Sequence, residues 1–263
     1  LEHYVHNQFF LIHALGIQGR FREAMKQAAD LLNRHESPAE LASALGSSAY
    51  REGWYVLMKT LVRFEKWNEI LDEKTFAPYS RPREASCYHY ARGLAFATGN
   101  DIPHADSELA AMRTSINELQ KLSGSVPAQL AVAITELDGY IAVKAGDRVA
   151  GIEQMRKAVQ MEDRLQYNEP SSYLRPVREL LGHVLLLLGD FDAAETVYRE
   201  LLRKESSSGR ALWGMSQALQ GAAKQDEAED TRKQFKSAWA RADSDLPEVE
   251  TGKARKIERI HRQ

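Results

Sequence analysis

The chain is short of several things that would place it quickly. One cysteine, Cys87, occurs among 263 residues, which excludes a disulfide framework and any multi-cysteine zinc or iron–sulfur centre. Net charge is nearly absent, with 35 Lys and Arg against 37 Asp and Glu. A general nucleic-acid binder carries a strongly basic domain, so no nucleic-acid partner is expected. Eight prolines and 16 glycines are too few for a loop-rich all-β protein or a disordered chain. The longest purely apolar runs, Leu130 to Ile134 and Val184 to Leu188, fall far short of the ~20 residues that span a bilayer. No basic start followed by an apolar stretch marks a secretory signal, and a cytoplasmic location is expected. There is no initiating Met, so the chain reads as a piece of something longer.

What is present is helical periodicity. Apolar residues recur at three and four in Phe9, Phe10, Leu11, Ala14 and Leu15, and again in Ala24, Ala28, Leu31 and Leu32. No segment sustains a two-residue alternation, and β-branched residues are scattered, so no strands are expected. Breaks fall at Gly19-Arg20, Glu65-Lys66, Gly99-Asn100, Gly146-Asp147 and Gly189-Asp190. Glycine suits the position just past a helix end because it takes positive φ freely. Helical stretches flank each break, which predicts a string of helical hairpins.

Catalytic signatures are missing. There is no Gly-rich phosphate loop, no dinucleotide Gly-x-Gly-x-x-Gly, no His-Glu-x-x-His helix and no Gly-x-Ser-x-Gly elbow. Cys87 and His89 are two apart and point to different helix faces. Cys87 reads as a small buried hydrophobe.

Residues 175–208 hold Leu181-Gly182, Leu185, Gly189, Phe191, Ala194, Tyr198 and Leu201. Residues 209–242 hold Leu212, Met215, Ser216, Leu219, Ala228 and Phe235. The two windows overlay at a shift of 34 residues, a spacing that resembles the tetratricopeptide repeat. Windows 5–38, 51–84, 85–118 and 132–165 fit less fully; Ile70 replaces a small residue in the second, and Ala105 is displaced by one in the third. His6-Asn7-Gln8-Phe9-Phe10-Leu11 and Glu169-Pro170 followed by Pro176-Val177-Arg178 are also similar to segments of poorly characterised bacterial multi-repeat proteins. The resemblance implies an all-α, right-handed superhelical solenoid of about six antiparallel helix pairs over residues 1–243. A basic C-terminal tail, 244–263, would follow, with Lys253, Arg255, Lys256, Arg259 and Arg262.

Repeat solenoids bind on their concave surface. The family pattern lines that surface with fixed positions of each repeat's first helix. Here those positions hold His6, Phe9, His13, Glu52, Tyr55, Lys59, His89, Glu136, Tyr140, Glu179, His183, Trp213 and Gln217. Three readings stand side by side. The polar face is what keeps a solenoid soluble. Alternatively it is a groove for a peptide or protein partner, with the aromatics as anchors and the charges gripping backbone or termini. Or His6, His13, His89 and His183 converge with the glutamates on a divalent metal or an acid–base site. A binding scaffold without resident cofactor is the leading expectation, and the His/Glu site is the alternative. The link from Glu169 to Pro176 is longer than a repeat needs. It reads as a rigid helix entry, or as a loop leaning over the groove with Tyr167, Glu169 or Tyr173 touching a ligand. Leu1 to Phe10 are expected to pack on an upstream repeat, so a shortened chain is expected to self-associate.

Overall fold

The computed structural model describes residues 2–166, 168 and 173–250. Among them are fourteen helices and no strand. Twelve form the six expected hairpins: α1 (Glu2–Ile17) with α2 (Phe21–Leu32), α4 (Ala49–Arg63) with α5 (Trp67–Leu71), α6 (Pro82–Thr98) with α7 (Ile102–Ser123), α8 (Ala128–Lys144) with α9 (Arg148–Glu162), α10 (Val177–Leu188) with α11 (Phe191–Lys204), and α12 (Gly209–Gly221) with α13 (Gln225–Ala238). Two short helices, α3 (Pro38–Ala42) and α14 (Pro247–Glu250), lie outside the pairs.

The six hairpins turn the same way. One residue of positive φ ends each first helix: Gly19 (75°), Glu65 (52°), Asn100 (64°), Gly146 (104°), Gly189 (78°) and Ala223 (61°). The next residue's N–H returns to the carbonyl five positions back. These bonds are Arg20 to Leu15, Lys66 to Leu61, Asp101 to Phe96, Asp147 to Ala142, Asp190 to Leu185 and Lys224 to Leu219, all 2.9–3.0 Å. This six-to-one bond is the Schellman closure, which satisfies a carbonyl that the helix end would orphan. The residue that donates it is also the N-cap of the following helix. At Asp101, Asp147 and Asp190 the carboxylate accepts the N–H of His104, Ala150 and Ala193. The five breaks expected from the sequence are these turns. The sixth, at Ala223, carries no glycine and gave no signal.

Two compact units hold these elements, Leu1–Ile12 with Met25–Arg175, and His13–Ala24 with Pro176–Gln263. In the first, α4 packs on α5 and α6, α6 on α7 and α8, and α8 on α9. Its interior is made by Trp54, Phe76, Leu61, Met58, Leu94, Met112, Leu137 and Met155, all essentially inaccessible. Helices α8 and α9 meet backbone to backbone. A Cβ on Gly139 would stand 2.8 Å from the Gly151 carbonyl oxygen, and one on Gly151 only 2.6 Å from that of Gly139. Neither contact leaves room for a side chain.

In the second unit α10 packs on α11 and α12, and α12 on α13. The Tyr198 ring of α11 fills the space that Cβ atoms on Gly182 and Gly214 would take. The α1–α2 turn belongs to this unit and is clasped by the segment after α13. Trp239 donates its indole N–H to the Ile17 carbonyl at 2.8 Å. The Asp243 N–H reaches the Gly19 carbonyl at 3.0 Å, and the Asp243 carboxylate accepts the Arg22 N–H at 2.8 Å. Leu246 and Glu248 are buried, so the packed chain runs beyond the expected boundary at residue 243. Apolar Leu246 and the ion pair of Glu248 with Arg210 (3.0 Å) hold it there. The basic residues from Lys253 onward lie outside the described residues.

The turns predict opposite effects of opposite substitutions. A Cβ on Gly189 would meet nothing within 4 Å, so Gly189→Ala isolates the positive-φ penalty and should destabilise by about 1 kcal/mol. Ala223→Gly should stabilise by a similar amount. Urea unfolding midpoints of the two variants check both signs. Gly151→Ala, which also drives a methyl into backbone, should lose about 1–3 kcal/mol by the same measurement.

Candidate functional site

The thirteen residues assigned to the concave face divide between the two units. In the first unit His6 is exposed, with its ring edge-on to Phe10 at 4.9 Å. Phe9, Glu52, Tyr55, Lys59 and His89 are half-buried. Glu52 accepts from the Ser47 hydroxyl. The Tyr55 ring has Lys59 Nζ and the Arg83 guanidinium each 5.9 Å from its centre, a weak cation–π arrangement on both. His89 is bonded through Nδ1 to Glu108 of α7 at 2.7 Å, and Glu108 also accepts from Arg92 Nε at 2.7 Å. Burial works against the Glu108 charge, but the His89 and Arg92 hydrogen bonds outweigh it and hold the carboxyl below its usual range.

In the second unit His13, His183, Trp213 and Gln217 are half-buried. The Trp213 ring sits 5.3 Å from that of Phe235. Gln217 Nε2 donates to the Ser216 hydroxyl at 3.4 Å.

Three of the thirteen depart from the expectation of an open wall. Glu136, Tyr140 and Glu179 are buried. Glu136 is wholly inaccessible, and its Oε2 accepts the Tyr90 hydroxyl at 2.6 Å and the Tyr173 hydroxyl beside it. The Tyr140 hydroxyl lies 3.2 Å from that of Thr98. Glu179 stands 3.7 Å from the Arg210 guanidinium, which also pairs with Glu248. A carboxylate leaves water at a cost of several kcal/mol unless hydrogen bonds or counter-charge replace the solvent. Glu136 has phenolic donors in that role, and Glu179 has the Arg210 cation.

Tyr173 and Arg175 come from the link that precedes α10. Tyr173 lies 2% exposed, and Arg175 is closed in and 3.7 Å from Glu65. Tyr173 is therefore set against the α8 face that carries Glu136. Tyr167 and Glu169, the other two residues considered there, lie outside the described residues. Burial, and then the adjacent Glu136 charge, push the Tyr90 and Tyr173 phenols well above their usual range, with Arg175 opposing this at Tyr90. Both hydroxyls are thus fixed as donors to the carboxylate. Position counting within the first helices located Glu136 and Tyr140, but it passed over Tyr90, one residue beyond His89. Nothing in the local pattern marks Glu108, Arg175 or Arg210 as partners, because each is brought in by a different element.

Among the described residues no group of three or more His, Cys, Asp or Glu side chains is placed to hold a metal ion. His89 is turned to Glu108 instead. Cys87 is buried, and burial pushes its thiol up to about 12, far from the range of a thiolate nucleophile. No described helix is long and apolar enough to cross a membrane. Comparison with protein-family models, curated proteins and solved structures produced no match.

The Glu136 cluster predicts a defined pH dependence. Unfolded tyrosine titrates near 10, and the two folded phenols titrate higher. Their contribution is therefore complete below about pH 10 and is lost as pH climbs through the folded values. Stability measured by urea unfolding between about pH 8 and 11 should fall above pH 10. Tyr173→Phe should flatten that fall, and it should destabilise the neutral protein by about 1.5–3 kcal/mol through the lost bond to a buried charge.

Proposed function

We propose that the chain is a tetratricopeptide-type binding scaffold whose paired helices form a right-handed superhelical array offering first-helix side chains to a peptide or protein partner. The observation that carries this reading is how the hairpins spend their apolar surface. Gly139 against Gly151, and Tyr198 between Gly182 and Gly214, lock helices to their neighbours, which is the packing expected of repeats that cannot bury their faces alone. What remains half-exposed on the first helices is aromatic and polar: Tyr55 and Lys59 in one unit, and His183, Trp213 and Gln217 in the other. Aromatic anchors flanked by hydrogen-bonding groups are the usual composition of a peptide-binding surface. The buried positions Glu136, Tyr140 and Glu179 do structural work in this reading and touch no partner.

Selection of peptides from a random library against the whole chain tests it. Binders should lose at least about tenfold in affinity, by fluorescence anisotropy, in Trp213→Ala or Tyr55→Ala, the effect expected of an aromatic anchor. A library that yields no saturable binder, or binders indifferent to both substitutions, would overturn the proposal.

A further inference from the structure

A cleft of about 810 Å³ opens in the first unit, between α3 with its flanking loops and the loop that enters α6. Its walls include Leu41, Tyr50, Pro78, Tyr79 and Pro82, with Arg81 at the rim and Glu36 at the base. None of the thirteen first-helix positions discussed above contributes to it. It is a wide, open depression with a mixed lining, apolar with a few polar groups.

The base is built from buried, mutually bonded groups. Glu36 accepts Arg51 Nε at 2.8 Å, the Ser48 hydroxyl at 2.9 Å and the Tyr79 hydroxyl. Arg51, almost entirely buried, also donates to the carbonyls of Gly46, Glu40 and Ser43. One carboxylate and one guanidinium thus join the two walls, α3 and its loops on one side and Tyr79 on the other. Burial opposes the charge of Glu36, but the bonds from Tyr79, Ser48 and Arg51 win and hold the carboxyl below its usual range. Its charge is matched by Arg51 within the base.

The rim is different. Arg81 is half-exposed and is steered by donating Nη2 to the carbonyls of Glu40 and Leu41. Its guanidinium stands 6.0 Å from the Tyr79 ring centre. It takes part in no ion pair with a described residue. The nearby Glu40 carboxylate is turned to the Ser37 backbone and hydroxyl as a capping box. With Glu36 and Arg51 cancelling, the cleft presents a cation that makes no direct ion pair among the described residues and feels the Glu84 carboxylate of α6 only at longer range, beside two tyrosine rings whose centres are 6.1 Å apart. Leu41, at 58% exposed, adds an apolar edge that nothing covers.

We propose that this cleft binds an aromatic carboxylate, with the ring lying against Tyr50, Tyr79, Leu41 and the prolines and the carboxylate on Arg81. A guanidinium fork matches a carboxylate in a charge-assisted pair, and flat aromatic walls match a flat ligand. The same chemistry is presented by a free aromatic acid and by the C-terminal residue of a peptide ending in Phe or Tyr.

Calorimetric titration of the whole chain decides it. The probes are benzoate, phenylacetate, 3-phenylpropionate and indole-3-acetate, the amide of each, and a tetrapeptide ending in Phe with a free or an amidated C-terminus. At least one acid or the free-carboxylate peptide should bind saturably at one site, at least about tenfold tighter than its amide. Whether the free acid or the peptide binds tighter identifies the source. Arg81→Gln should remove that preference, and Arg81→Lys, which keeps the charge, should restore part of it. Tyr50→Ala, which leaves Arg81 and Glu36 in place, should weaken every probe. The proposal fails if no probe binds below about 10 mM, if acids and amides bind equally, or if the preference survives Arg81→Gln. Failure here leaves the first-helix surface untouched, since Trp213→Ala and Tyr55→Ala report on that alone.

Discussion

Each helix pair in this protein depends on one backbone residue in the left-handed region. That residue reverses the chain within two positions, lets the next N–H close on a carbonyl five residues back, and hands the chain directly to the N-cap of the next helix. The same closing bond and N-cap hand-over recur at six places. The apolar stripes then meet along their lengths, and the small residues Gly139, Gly151, Gly182 and Gly214 fall where the approach is closest. A turn of any other form would rotate one stripe away from the other. The packing of α8 on α9, and of Tyr198 against Gly182 of α10, occurs within such pairs.

On that frame the protein buries more charge than its near-neutral composition suggests. Glu36, Glu136, Glu179 and Glu248 are all withdrawn from water. Each is met by a donor or a counter-charge that arrives from another element: Arg51 and Tyr79 for the first, Tyr90 and Tyr173 for the second, and the Arg210 cation for the last two. Such groups are costly singly and stabilising only as completed sets. They therefore fix which loop lies on which helix. Tyr173 is held to α8 by the buried Glu136 carboxylate. The loop carrying Tyr79 is held to the α3 region for the same reason.

How much was legible can be argued residue by residue. The breaks at Gly19, Gly146 and Gly189 were visible because only glycine takes positive φ without strain. Asn100 and Glu65 were visible through their place between two periodic segments. Ala223 was not, because alanine carries no local signal for a conformation that the surrounding hairpin imposes. In the candidate site, spacing put Glu136, Tyr140 and Glu179 on the first-helix positions of their repeats, but spacing cannot tell an open face from a covered one. Coverage of Glu136 comes from Tyr173, 37 residues further on. His89 was chosen for its position, and its partner Glu108 lies on the neighbouring helix, outside any single-helix pattern.

The sequence by itself determined the helix pairs and five of the six turns within them, because periodicity, turn residues and N-caps act over a few neighbouring positions. It also excluded disulfides and a long apolar span, which depend on composition alone. Tertiary structure decided which polar residues are interior, that the α1–α2 turn is clasped by the segment from Trp239 to Asp245, and that Arg81 stands beside Tyr79 over a cleft. Those outcomes depend on contacts between residues far apart in the chain, and burial is a property of what comes to lie opposite. No residue's own neighbourhood encodes that.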